Sequence, residues 1–127
     1  MYQVYWDVPG YVLSLKLIDA LTLKEFIEID HLITSYLSTT ITRTVIVIDI
    51  TAAKHMPFPS EQMKASQVYM HHSMLRSLLI LGENKLLRLT LLLTFNLARA
   101  SLQFFDNNEQ LDRYLHIHKL KPYESTT

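Results

Sequence analysis

Two uninterrupted apolar runs constrain the fold of this chain more than any other feature. VIVIDI spans residues 45–50 and LLIL spans residues 78–81, and neither shows the alternation of a strand with one wet face. Such runs are typical of strands covered on both faces, as in a parallel sheet between layers of helices. Pro57 and Pro59 follow the first run, and Gly82 closes the second. The sequence therefore predicts two central strands.

The first twenty residues predict a hairpin. Residues 2–7 and 13–17 alternate between polar and apolar side chains in the two-residue period of a strand. Pro9 and Gly10 between them suit a tight turn, because Pro pre-sets φ and Gly accepts a positive φ. We expect an antiparallel hairpin at the edge of the sheet, with one face exposed to water.

The remaining segments predict helices that alternate with strands. Thr22 and Glu25 have the spacing of a capping box, and Ser60 followed by Glu61 is typical of a helix N-cap. The predicted helices cover about residues 22–38, 60–73, 84–98 and 107–116, and a short strand covers residues 101–105. The order ββαβαβαβα predicts one α/β domain over residues 1–120, with a mostly parallel sheet, an antiparallel N-terminal edge strand and helices packed on the sheet. Residues 121–127 are predicted to be a flexible tail.

The order of these elements resembles one known family. The segments GYVLSLKL, LTLKEFIEID, VIVIDIT and SLQFFDNNEQLDRYL follow the element order and apolar pattern of the SpoIIAA-like (STAS) superfamily, and the resemblance covers nearly the whole chain. It implies a β/α superhelix and a regulatory or binding role. Members include anti-sigma-factor antagonists and transporter-associated domains.

The chain departs from the regulatory motif of that family. Family members carry an Asp-Ser pair at the start of the helix after the strand that resembles VIVIDI, and a partner kinase phosphorylates the serine. This chain has HMPFPSEQM in that segment, with Pro59 instead of Asp before Ser60. The resemblance therefore implies a branch that lacks the Asp-Ser phosphorylation motif.

Composition excludes several classes of function. Twelve Lys and Arg balance twelve Asp and Glu, so no overall field favours nucleic acid. The absence of cysteine excludes disulfides and thiolate metal sites, and no G-x-S-x-G elbow is present. The six histidines lack the spacing of a metal-ligand set, so we expect no metal, no cofactor and no enzymatic activity.

The apolar segments do not predict a membrane protein. Residues 86–100 are leucine-rich but shorter than the roughly 20 residues that a bilayer helix needs, and Arg88, Asn96 and Arg99 interrupt them. The start of the sequence lacks the features of a secretion signal. We therefore expect a cytoplasmic protein without membrane insertion.

One candidate site lies where the first apolar run ends. Asp49, Thr51, Lys54 and His55 are expected at the carboxyl edge of the sheet, where ligands of open α/β sheets bind. They could line a small pocket or a partner surface. Alternatively, Asp49 accepts backbone N–H bonds from the following loop and only shapes the turn.

Methionines suggest a second candidate surface. Met63, Met70 and Met74 lie at helical spacing after Ser60, and an exposed methionine stripe can bind varied partners. Ser60, Met63 and Met70 are therefore candidate binding residues. The alternative is ordinary core packing.

The leucine-rich helix suggests a third candidate surface. Its apolar residues cover well over half of the circumference, whereas a helix on a sheet needs an apolar face of only about 100°. We expect the surplus, with Leu89, Leu92, Leu93 and Phe95 as candidates, to form a homodimer interface. The alternative is packing against neighbouring helices of the same chain.

These observations favour a binding protein. The first hypothesis is a non-enzymatic regulatory or protein-interaction module, which contacts partners through residues 51–60 and the following helix. The second is a carrier or sensor of a small apolar or lipid-like ligand, held between the helices and the sheet.

Overall fold

The computed structural model describes residues 1–95 and 101–118. The helices and strands are β1 (Tyr2–Val8), β2 (Val12–Ala20), α1 (Leu23–Thr39), β3 (Thr44–His55), α2 (Glu61–Ala65), β4 (Leu75–Leu81), α3 (Lys85–Thr94), β5 (Ser101–Phe105) and α4 (Asn108–Ile117), with a 3-10 turn at Val68–His71. The strands form one sheet in the order β1-β2-β3-β4-β5. Only β1 is antiparallel to its neighbour, so the predicted fold class is confirmed. The predicted tail and the predicted end of the leucine helix, residues 96–98, lie outside the described residues.

Strand alternation determines the two faces of the sheet. On one face, leucines of β2 and isoleucines of β3 pack under α1, α2 and α3. On the other face, Val45, Val47 and Leu79 pack under α4 with Leu111 and Leu115. Because β3 and β4 have buried side chains on both faces, they read as continuous apolar runs.

The helix starts are those that the sequence predicts. The Thr22 hydroxyl accepts a hydrogen bond from Glu25 N at 3.1 Å, and Glu25 Oε1 accepts one from Thr22 N at 3.0 Å. Ser60 Oγ accepts from Met63 N at 3.2 Å, and the side chain of Asn107 caps α4. Each cap satisfies a backbone N–H that has no partner within its own helix.

The predicted helix over residues 60–73 is wrong beyond Ala65. The chain leaves the helical conformation at Gln67, whose Nε2 donates to Phe26 O at 3.1 Å. Two residues later, Tyr69 N donates to Asp30 Oδ1 at 2.9 Å. These buried bonds to α1 replace the helical bonds that the segment would otherwise make, so tertiary contacts override helix propensity.

Candidate functional site

Asp49 lies inside β3 and not at its end. The strand continues to His55, because residues 52–55 pair with Ile18, Asp19 and Ala20 of β2. Asp49 Oδ1 accepts hydrogen bonds from Thr51 N at 2.9 Å and from Thr51 Oγ1 at 2.6 Å. The interpretation that Asp49 accepts a backbone N–H is therefore confirmed, although the donor belongs to the strand and not to a loop.

The structure does not group Asp49, Thr51, Lys54 and His55 in one pocket, because only Thr51 among the other three contacts Asp49, and their role as a partner surface stays a prediction. Lys54 and His55 are exposed at the end of β3, and Lys54 Nζ lies 3.8 Å from Asp19 Oδ1. The cavity that Asp49 lines includes none of the other three residues. The cause is the length of β3, which carries these residues away from Asp49 along an extended strand.

Asp49 lines a polar cavity of about 180 Å³ on the face of the sheet that α4 covers. The polar lining of this cavity comes from β1, β2, β3 and α4, namely Tyr5, Asp7, Ser14, Asp49, Asn108 and Asp112. We call this the polar cavity. Strand register explains the grouping, because Tyr5 pairs with Ser14 and Ser14 pairs with Val47, two residues before Asp49. The alternation of β1 and β2 could have indicated this shared face, but only the position of α4 encloses it.

The leucine helix exposes part of its apolar surface. Leu86, Leu89, Leu92 and Leu93 are 71%, 50%, 42% and 41% exposed, and we call these four side chains the α3 leucine surface. Phe95 is only 2% exposed, and its ring packs against Tyr69 with 6.0 Å between centroids. Phe95 therefore belongs to the core, and its prediction as an interface residue is corrected.

Met63 and Met70 do not form the predicted exposed surface. Met63 and Met70 are both buried in the core between the sheet and the helices, so the alternative of core packing is confirmed for them. Ser60 uses its hydroxyl to cap α2. Exposed apolar side chains in this segment are Phe58 and Val68, neither of which the sequence pattern indicated.

An open apolar groove of about 550 Å³ runs between β1 and α1. It is lined by Tyr2, Ile27, Glu28, His31, Leu32 and Ser35. Burial, followed by the charge of Glu28, raises the pKa of Tyr2 above its ordinary value. The groove forms because Ile27 and Leu32 lie on the exposed face of α1.

In residues 1–95 and 101–118, no group of three or more His, Asp or Glu side chains is arranged to hold a metal ion. Within the same residues, no helix has the length and hydropathy that a membrane span requires.

Comparisons with known proteins support the fold assignment. No family model matches the chain, and a search of curated proteins finds no match. Among solved structures, the chain is similar to the anti-sigma factor antagonist SpoIIAA in its unphosphorylated form, with a TM-score of 0.62 and 15% identity over 90% of this chain and 97% of that one. The chain has a SpoIIAA-like fold.

A second solved structure supports the same fold. An uncharacterized DUF3478-family protein from Shewanella loihica, which has a SpoIIAA-like fold, is similar with a TM-score of 0.60 and 19% identity. The match covers 89% of this chain and 91% of the other. The resemblance seen in the sequence is thus confirmed for the fold.

Proposed function

We propose that this protein is a non-enzymatic regulatory module that acts by binding another protein. The observation that carries the proposal is the α3 leucine surface on a SpoIIAA-like fold. SpoIIAA is an anti-sigma factor antagonist, a regulator by its name. Four adjacent exposed leucines form the kind of contiguous apolar patch that marks interfaces on soluble proteins.

The size of this surface limits how tightly it binds. The exposed fractions of the four leucines correspond to about two whole leucine side chains, and burying them stabilises a complex by about 3–6 kcal/mol. In a symmetric homodimer both copies contribute, which gives about 6–12 kcal/mol. Association costs about 4–15 kcal/mol in lost freedom. Only the favourable end of these ranges leaves a net gain, of at most about 8 kcal/mol. We therefore propose a weak homodimer through α3, with a dissociation constant of about 1 μM or weaker, that a protein partner displaces.

The experiment compares one double variant with a matched control. Leu89→Glu with Leu93→Glu places two charges in the leucine surface. Ile41→Glu is the control, because it charges an apolar residue that is outside the leucine surface and 96% exposed, in the segment between α1 and β3. Sedimentation equilibrium over a concentration series should show a dimer for the wild type and Ile41→Glu, and at least tenfold weaker association for the double variant.

A partner is tested separately in cells. A photo-crosslinking amino acid is placed at position 89 or, as the control, at position 41. A defined partner that crosslinks only at position 89, and that binds the purified wild type but not the double variant, supports the proposal. If the double variant still self-associates and still binds the partner, the leucine surface is not the interface and the proposal is rejected.

A second candidate function rests on the groove between β1 and α1. We propose as the alternative a carrier or sensor of a small apolar ligand, because the groove is lined mainly by apolar surface and holds about 550 Å³. Native mass spectrometry of the purified protein, compared with its denatured mass, tests this. A bound species of a few hundred daltons that Ile27→Glu removes favours the carrier, and an unliganded mass favours the interaction module.

A further inference from the structure

The polar cavity places a carboxylate where a central strand ordinarily carries an apolar side chain. Asp49 lies on β3, in the middle of the sheet, on the same face as Val45 and Val47. Charged side chains in such positions are paired or bind a ligand, because desolvating an isolated charge is costly. Asp49 is half-buried, so a hydrogen-bonding or charged partner would stabilise its carboxylate.

Thr51 provides part of that partnership. Both of its hydrogen bonds go to Asp49 Oδ1, and Asp49 Oδ2 accepts none from the described residues. The carboxylate is held in one orientation with one oxygen available. Such a preoriented acceptor costs little further ordering when a donor binds.

Ser14 is an independent sign of a ligand. It is only 7% exposed and lines the polar cavity, and its hydroxyl makes no hydrogen bond to the part of the chain that the structure describes. The hydroxyl is not one of the fully buried polar atoms without a partner, so it is open to the cavity and can bond a group that enters it. A bound group with hydrogen-bonding capacity in the cavity would satisfy it.

The charges around the polar cavity indicate which chemical group it binds. Asp7 and Asp112 also line the cavity, from β1 and α4, and each makes further interactions with its own neighbours. Asp49 is therefore the carboxylate that favours a cation, because its Oδ2 accepts no hydrogen bond from the described residues. Within the described residues, the carboxylates of the cavity are not arranged as a metal-ligand set.

We propose that the polar cavity binds an organic cation with N–H donors, a primary ammonium or a guanidinium. A cavity of about 180 Å³ has the volume of roughly six water molecules, at about 30 Å³ each, which suits such a head group better than a bare ion. Its N–H groups donate to Asp49 Oδ2 and to the Ser14 hydroxyl. The cation is either a free small amine or the side chain of a lysine or arginine on a partner protein.

Lys16 is the nearest competing charge. It lies opposite Asp49 in the β2–β3 register and on the same face of the sheet, but it does not line the cavity and makes no ion pair among the described residues. Its positive charge opposes the entry of a cation. Removing that charge should therefore tighten binding, an effect that a merely structural role of Asp49 does not predict.

The first measurement is a titration followed by amide NMR at low ionic strength. The probes are methylguanidinium, 1,4-diaminobutane, capped arginine and capped lysine, with tetramethylammonium as a cation that lacks N–H donors. We expect saturable shifts at Ser14, Asp49 and Asn108, with dissociation constants of about 1 mM or below. Binding by the free amines alone identifies a small-molecule site, and binding by a capped residue identifies a partner side chain.

The variants separate the proposal from nonspecific attraction. Asp49→Asn should weaken binding at least tenfold, and Lys16→Met should tighten it at least threefold. Asp19→Asn, which removes an exposed carboxylate of β2 outside the cavity, is the matched control and should leave affinity unchanged. Circular dichroism confirms folding of each variant. Equal binding of tetramethylammonium, no saturable shift with any probe, or equal effects of Asp49→Asn and Asp19→Asn would overturn the proposal.

Discussion

Gly82 lies in the turn between β4 and α3, and the structure allows the loss of stability on its replacement by alanine to be estimated. It follows β4 with a φ of +139°, its N–H donates to Phe105 O at 2.9 Å, and its carbonyl accepts from Arg88 Nε at 2.6 Å. A Cβ added at this position would lie 2.6 Å from Ile50 Cγ1, inside the buried core. Either the core or the turn must therefore move in Gly82→Ala.

Two terms determine the expected loss. A positive φ in a residue with a Cβ costs about 1–2 kcal/mol, and forcing an extra carbon into a packed core costs about 1–3 kcal/mol. Gly82→Ala should therefore lower the free energy of unfolding by about 2–5 kcal/mol. Gly10→Ala is the control, because Gly10 has a φ of +81° but its added Cβ would lie 3.6 Å from Thr42 Oγ1, an ordinary contact.

Urea unfolding of both variants separates the cost of backbone strain at a positive φ from the cost of steric overlap with Ile50. The entropy that alanine removes from the unfolded chain is the same in each variant and cancels in the comparison. Gly10→Ala should cost about 1–2 kcal/mol, and Gly82→Ala should cost more by about 1–3 kcal/mol. If the two variants lose equal stability, the contact with Ile50 relaxes freely and the packing argument is refuted.

Three further predictions concern stability. Asn107→Ala removes the side chain that accepts from Gln110 N at 2.9 Å and should cost about 1 kcal/mol in urea unfolding, with Asn107→Asp nearly neutral. Burial raises the pKa of Asp30, so its folded form binds a proton more tightly than its unfolded form. As pH falls from the raised pKa to the ordinary value of about 3.9, the wild type should therefore become more stable relative to Asp30→Asn. Unfolding of both proteins at each pH measures this difference in stability. Tyr69→Phe removes a buried hydroxyl that has no hydrogen-bond partner among residues 1–95 and 101–118, so thermal unfolding should show equal or higher stability, by up to about 1 kcal/mol.

The sequence predicted those parts of the fold that local chemistry determines. Alternation in β2 fixes which side chains face the core, and Thr22 with Glu25 specifies a helix start without reference to the rest of the chain. The same holds for the continuous apolar runs of β3 and β4, since a strand covered on both faces has no polar side to present.

Features that depend on distant contacts could not be predicted in this way. The last residues of β3 are small or polar and become a strand because β2 offers backbone groups to pair with. The second helix stops early because α1 provides Asp30 and the Phe26 carbonyl as alternative partners. Phe95 lies on a helix that is apolar around most of its circumference, so its own sequence could not show which side faces the sheet.

The distribution of helices explains why Asp49 is tolerated on a central strand. Among the described residues, α1, α2 and α3 cover one face of the sheet, whereas α4 covers the other and packs mainly on β3, β4 and β5. On β1 and β2 the same face carries polar residues such as Asp7, Ser14 and Lys16. Asp49 is half-buried beside them, because Lys16 lies opposite it in the β2–β3 register and the polar cavity adjoins its carboxylate. A polar side chain is therefore compatible with this position of a central strand, whereas Val45 and Val47, under α4, are apolar.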